Sequence, residues 1–412
     1  MKSSLTSCLI FVAFLASNHA GAPIGADGVD AEQSIAPSAL LTGHLSGENL
    51  YERARSGLVL YENPSNPWVQ SVSLMAQLQL QYAYGSSRTG KFGTADWPDN
   101  LTWGNLEVRR YRLGVRGRLF RDFTFFNLTD LEPNFSNGVY KRFPEAYVTW
   151  HHSPAINVSA GKCELKFNRE QEYASSRFPV FERTAVGNML YGGELTGVWI
   201  NGDQIAGGWQ YFLGVYSNDR QDEWPKFESA GSIFLSKIGY DYTSATSLDR
   251  ALIKVQWLHN TRPGYTNSET NPPSPLYSNA YSLSHEVQAG RLGLTAEILF
   301  AEGARGRPNV GAFSTMTTWT FSEKIEFINV LEVAGSRKEN GVILPARYES
   351  LAPDLGDRRG DSWFSSYAGV NYYLDGHHVK LMTGMKYSHM DGGTKGGDFS
   401  GWTWLAGLRM FF

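Results

Sequence analysis

The chain has almost no cysteine: two in 412 residues, Cys8 and Cys163. Cys8 falls within an export leader, so the exported chain keeps a single thiol and has no internal disulfide to lean on. Net charge is nearly absent too. The 37 Lys and Arg against 40 Asp and Glu leave −3, which gives no global basic field for nucleic acid; any positive field must be local. Beyond the leader, no apolar run approaches the ~18 residues that a membrane helix needs. Mean hydropathy is −0.32. Together these absences exclude a helical membrane protein. They leave room for a β-barrel, whose inward polar side chains dilute the average.

What is present favours that barrel. Glycine is abundant (43) and aromatics reach 14%, as expected where girdles of Tyr, Trp and Phe meet two membrane interfaces. Met1–Ala22 reads as a secretory signal: Lys2 opens it, Leu9–Ala16 is its apolar core and Ala20-Gly21-Ala22 its cleavage site. Leu5-Thr6-Ser7-Cys8 looks like an acylation box, but it precedes the apolar core rather than following it. Residues 23–66 form a polar periplasmic lead-in, with a short helix expected around Glu52, Arg53 and Arg55. Residues 67–412 form the barrel domain.

The organising stretch is Leu106–Arg121, LEVRRYRLGVRGRLFR. With a period of two, Tyr111, Leu113, Val115 and Leu119 share one face, and Arg110, Arg112, Arg116 and Arg118 share the other. The apolar face reads as lipid-facing and the arginine face as turned to a watery lumen. From Trp68 onward about sixteen such segments follow one another, an even number typical of bacterial channels. Short turns at Arg121-Asp122, Ser153-Pro154, Ser322-Glu323 and Asp375-Gly376 alternate with long loops, as periplasmic turns alternate with extracellular loops. The last strand carries Trp402, Trp404, Ala406, Leu408, Met410 and the terminal Phe412 on one parity. That is the form the outer-membrane insertion machinery recognises, with Phe412 as its terminal signal. The fold expected is therefore an all-β transmembrane antiparallel barrel of about sixteen strands, in the outer membrane of a Gram-negative-type bacterium.

A channel also needs a constriction, and the loop Gly161–Asn188 is the best candidate, because loops this long in compact folds are commonly functional. It carries Lys162, Lys166, Arg169, Arg177 and Arg183 against Glu164, Glu170, Glu172 and Glu182, with Phe178, Pro179 and Phe181 to pack on the inner wall. Folded inward, it brings basic groups opposite the arginine strand. Arg and Lys rings in a low-dielectric pore select anions, and the planar arginine fork suits phosphate. Lys380 and Lys386 share an inner parity and extend the basic path, while Asp130 and Glu145 can hold arginines in place. His151-His152 and His377-His378 are adjacent on strands and point to opposite faces, so neither pair chelates a metal. Passive diffusion calls for no catalytic residue and no cofactor.

EVRRYRLGVRGRLFRDFTFFNLTD, EAYVTW, the Gly161-Lys162 loop start and SSRFPVFERTAVGN resemble the phosphate-selective porin O and P family. The likeness extends more loosely from Trp68 to Phe412, and Arg109-Arg110 and Phe181-Glu182-Arg183 are its most specific matches. The resemblance implies a sixteen-stranded homotrimeric outer-membrane channel with an inward third loop and an arginine-lined path for small anions, Arg109 included. The chain departs from the family pattern after Lys162. Cys163, Glu164 and Lys166 stand where an aromatic, a second basic residue and a proline are expected.

Three rival readings remain. A general porin of the same fold would lack strict anion selectivity. An outer-membrane barrel enzyme would need a Ser and His within reach, but Ser282 and His285 lie on opposite faces of a strand. A structural or adhesive barrel would be favoured if the loop at Gly161 projected outward.

Overall fold

The computed structural model describes residues 51, 56–91, 101–132, 138–218, 231–263, 277–345, 347–352, 358–393 and 397–412. The leader Met1–Ala22, the lead-in up to residue 50 and the helix expected around Glu52, Arg53 and Arg55 lie outside the described residues.

Strand follows strand. A short β1 (Val59–Glu62) precedes β2 (Val69–Lys91), β3 (Leu101–Leu119), β4 (Phe123–Leu131), β5 (Tyr140–Ser153) and β6 (Ile156–Glu164). After a long connection come β7 (Glu194–Ile205), β8 (Trp209–Ser217), β9 (Ser232–Asp241), β10 (Arg250–Asn260) and β11 (Tyr277–Ala289). Next are β12 (Leu292–Gly303), β13 (Val310–Ser322) and β14 (Ile325–Ser336). The next connection carries the small pair β15 (Val342–Ile343) and β16 (Arg359–Gly360). The chain ends with β17 (Ser362–Asp375), β18 (Val379–Asp391) and β19 (Gly397–Phe411).

β2–β14 and β17–β19 form a closed barrel of 16 antiparallel strands, as the alternating sequence pattern requires. Closure is made by β19 on β2, from Gly397 opposite Lys91 to Phe411 opposite Gln77. Phe412 and Ala76 complete it by exchanging both backbone hydrogen bonds at 2.9 Å. Below Phe412 the same edge of β2 would be bare. There β1 takes over, with Val59, Tyr61 and Glu62 opposite Ser73, Val72 and Ser71. β1 thus pairs the edge of β2 that β19 does not reach.

Each strand has two unlike faces. Along β12, Leu292, Leu294, Ile298 and Phe300 are exposed on the outer surface, while Glu297, Leu299 and Ala301 are buried on the inner one. Leu113, Ile238, Val255, Val333 and Met385 continue the outer apolar band around the barrel. A contiguous apolar surface of this extent is incompatible with water and matches the hydrocarbon layer that a barrel spans. Aromatics edge the band at the short-turn end, where Trp319 and Phe327 stack at 5.5 Å and Trp209 meets Tyr240 at 4.9 Å. A second girdle lies toward the long loops, with Tyr387 and Trp402 at 4.9 Å. The turn between β3 and β4 holds Phe120 and Arg121 at φ of 52° and 69°, a conformation side chains seldom adopt.

Candidate functional site

Along β3 the arginines follow the pleat until Arg109. There the register between β2 and β3 shifts between Gln79 and Leu80, so that Arg110 faces Gln79 and Val108 faces Leu80. Arg109 is the extra residue of this bulge. Strict alternation would aim it at lipid; the bulge turns it inward beside Arg110. Its guanidinium grips Glu182, with Nε to Oε1 at 2.7 Å and Nη2 to Oε2 at 3.2 Å.

A cavity of ≈ 790 Å³ opens beside this row. The cations lining it are Arg109, Arg110, Arg112, Lys141, Arg142, Arg183, Arg347 and Lys386. Nearly all are held by carboxylates. Asp130 takes Arg112 and also Arg142 Nε at 2.7 Å, and Arg142 reaches Glu194 at 2.9 Å. Arg183 bonds Glu164 at 2.9 Å, Lys386 bonds Glu349 at 2.6 Å, and Lys141 lies 3.8 Å from Glu132. Arg347 bridges Glu107 at 2.5 Å and Glu182 at 3.5 Å. Arg110 differs from all of these: Nη1 donates to the neutral amide oxygen of Gln79 at 2.8 Å. Among the described residues lining the cavity, it is the one cation without a carboxylate within ion-pair distance.

The connection between β6 and β7, residues 165–193, touches inward-facing side chains from most of the sheet. Its first turn, Arg169–Glu172, docks on β9–β12 through buried charge. Arg169 meets Glu286 at 2.7 Å, and Glu172 takes Lys237 and Lys254 at 2.8 and 2.9 Å. Burial pushes the Glu172 carboxyl up, but the two lysines and Arg169 outweigh it and hold it well below the usual carboxylate range. In the middle of the segment Arg409 donates to the carbonyls of Phe178, Val180 and Phe181, each at 2.9 Å. Lys380 shares the Phe178 carbonyl and Asn371 takes that of Pro179, both at 2.9 Å. Gln77 and Gln79 bind Ser175 from β2. At the far end, Glu332 accepts from the backbone N–H groups of Ala185 and Val186 at 2.9 and 3.0 Å. Leu165, Phe167, Phe181, Val186 and Leu190 supply the apolar half of the packing and are all buried.

One buried acid in this segment titrates near neutrality. Glu170 accepts from Thr184 N at 2.9 Å and Thr184 Oγ1 at 2.7 Å. Burial pushes its carboxyl up to about 7 against those two bonds, and the neighbouring Glu332 adds to the rise. An unfolded glutamate titrates near about 4.3, so between those values the docked state holds the proton more tightly. The stabilisation is therefore complete below the unfolded value and is lost as pH rises through about 7. Amide exchange across residues 166–190, corrected for its intrinsic rate, should be faster at about pH 8 than at about pH 5.5. In Glu170→Gln that difference should shrink.

The twelve basic positions singled out in the sequence thus separate. Arg109, Arg110, Arg112, Arg183 and Lys386 line the cavity. Arg116 and Arg118 lie further along β3 toward the short-turn end, opposite Ser73 and Ser71. Lys162 belongs to β6 rather than to the loop, and stands opposite Ala146 and Thr196. It shares the parity of Glu164 and Glu194, which line the cavity, and is itself buried. Arg169 is sealed in the Glu286 pair and Lys380 is fully buried beneath Phe178. Lys166 and Arg177 lie in the segment away from the cavity, the Lys166 carbonyl accepting from Lys237 at 2.5 Å. Sequence reasoning missed Arg347 and Tyr348, which reach Glu107 from the connection after β14. It also missed Arg142 and the glutamine row Gln77, Gln79 and Gln81. That row was legible as the polar parity of β2.

The family model described as phosphate-selective porin O and P matches residues 77–230. No curated relative matches the chain in sequence. Among solved structures, the outer-membrane channel DcaP of Acinetobacter baumannii superposes with a TM-score of 0.52 at 12% identity, covering 85% of this chain and 100% of that one. The outer-membrane OmpT of Vibrio cholerae gives 0.52 at 11%, covering 85% and 100%. An anion-selective porin from Comamonas acidovorans gives 0.53 at 12%, covering 83% and 99%. At such identities the likeness establishes the fold.

Proposed function

We propose that this outer-membrane porin passes small anions, phosphate among them, by passive diffusion past an arginine-lined constriction. The carrying observation is Arg110. Its charge is held in place by a neutral glutamine and is left uncancelled beside the ≈ 790 Å³ cavity. Residues 165–193 form the constriction in this reading, with Arg109, Arg112 and Arg183 shaping the field around Arg110. A guanidinium meets two oxygens of an oxyanion at once, which favours phosphate over a spherical ion. Release must still be easy, and a single unpaired arginine keeps binding shallow. The family match over residues 77–230 points the same way. Assembly as a homotrimer and recognition of Phe412 by the insertion machinery belong to the same proposal.

A general porin is the second reading. The carboxylate pairing of Arg109, Arg112, Arg142, Arg183 and Lys386 favours it, because paired charges set up a local field with little net sign. Titrating phosphate into chloride during single-channel recording separates the two. Phosphate should block chloride current, and Arg110→Gln should weaken the block by on the order of tenfold, the worth of about 1.4 kcal/mol of screened Coulomb attraction at contact. A block that is absent, or equal in the variant, favours the general porin.

A further inference from the structure

We infer that a resident anion of halide size sits beneath segment 165–193, between Arg110 and Arg409, in a small cavity that shares Arg109, Arg110 and Arg183 with the larger one. A second cavity of ≈ 20 Å³ lies there. That is room for about one water or one monatomic ion and too little for a tetrahedral oxyanion. Its wall holds four guanidiniums, those of Arg109, Arg110, Arg183 and Arg409, and one carboxylate, Glu182. Glu182 is already engaged by Arg109 and Arg347. Ser175 and Phe178 complete the lining.

The hydrogen-bonding inventory decides between water and anion. The Nε–H groups of Arg110 and Arg409 are both buried without a hydrogen-bond partner in the structure. Ser175 Oγ accepts from Gln77 Nε2 at 2.7 Å, which leaves its own proton to donate. The Phe178 carbonyl already serves Arg409 and Lys380. The cavity is thus rich in donors and poor in free acceptors. A water there could accept from the arginines but would find little for its own two protons. A monatomic anion accepts only, and it offsets the repulsion among guanidiniums confined together in a low dielectric; against the two guanidiniums of Arg110 and Arg409 its single charge leaves the local field positive. It would also pin Arg409, and through Arg409 the carbonyls of segment 165–193.

The test is crystallographic, on the whole detergent-solubilised protein crystallised in sodium bromide. A single anomalous peak is expected between Arg110 Nε and Arg409 Nε, and it should be lost in Arg110→Gln. In solution, wild type should melt at a higher temperature in bromide than in isethionate, an anion too large to enter, at equal ionic strength. Arg110→Gln and Ser175→Ala should shrink that gap. An empty or water-filled cavity in wild type, a peak that persists in Arg110→Gln, or a melting gap unchanged in both variants would overturn the inference. Phosphate block of wild type with no bromide bound would remove this site and leave the proposed function standing. Bound bromide with no phosphate block would do the reverse.

Discussion

Arg409→Met is expected to widen the channel. The substitution keeps an unbranched apolar stem but removes the donors that hold the carbonyls of Phe178, Val180 and Phe181. Lys380 still serves Phe178, so the Val180 and Phe181 carbonyls are left in a buried site without that partner. Each such loss costs about 1–3 kcal/mol, enough together to undock the middle of the segment while the closed sheet stays intact. Single-channel conductance should rise and become noisy, and the peptide bonds near Pro179 should become sensitive to protease. Arg409→Lys should fall between, since one ammonium cannot span carbonyls that a planar fork reaches together. Unchanged conductance with full protection would show that the remaining anchors and the apolar packing hold the segment without Arg409.

Glu172→Gln should release the other anchor. Glu172 is the shared partner of Lys237 and Lys254, all three side chains being 10% exposed or less. Removing its charge leaves two buried ammonium groups facing each other, and breaking such a cluster from one side costs about 3–5 kcal/mol. The expected result is rapid amide exchange across residues 166–173 with the far end, at Ala185 and Val186, still protected by Glu332. Lys254→Met in the same background should recover part of the loss, because it removes one of the two stranded charges. A double variant no better than the single would mean that the two positions are not coupled.

Much of the barrel was legible because its physics is periodic. Alternate side chains meet two media, so β12 or β19 shows its lipid face in the sequence alone, and the uneven connections mark the two ends. The site was less legible because it depends on pairings that no local pattern records. Arg169 and Glu286 lie in different halves of the chain, and nothing near Arg169 shows that its charge is spent in a buried pair. A one-residue bulge opposite Gln79 decides that Arg109 faces inward, and a strict period of two cannot contain it. Lys162 was read with the loop because the strand's end could not be placed; the ladder runs on to Glu164 and includes Lys162 in β6. Arg409 had the right parity in the sequence, but its hold on the loop carbonyls could not be read there.

The central claim is that an inward arginine, Arg110, leaves the channel with a positive field that its many ion pairs do not cancel. The most direct measurement is the zero-current potential of the wild-type protein in a planar bilayer between concentrated and dilute potassium chloride. The account predicts that chloride outruns potassium and the dilute side becomes negative. A potential of zero, or a dilute side that turns positive, would contradict it.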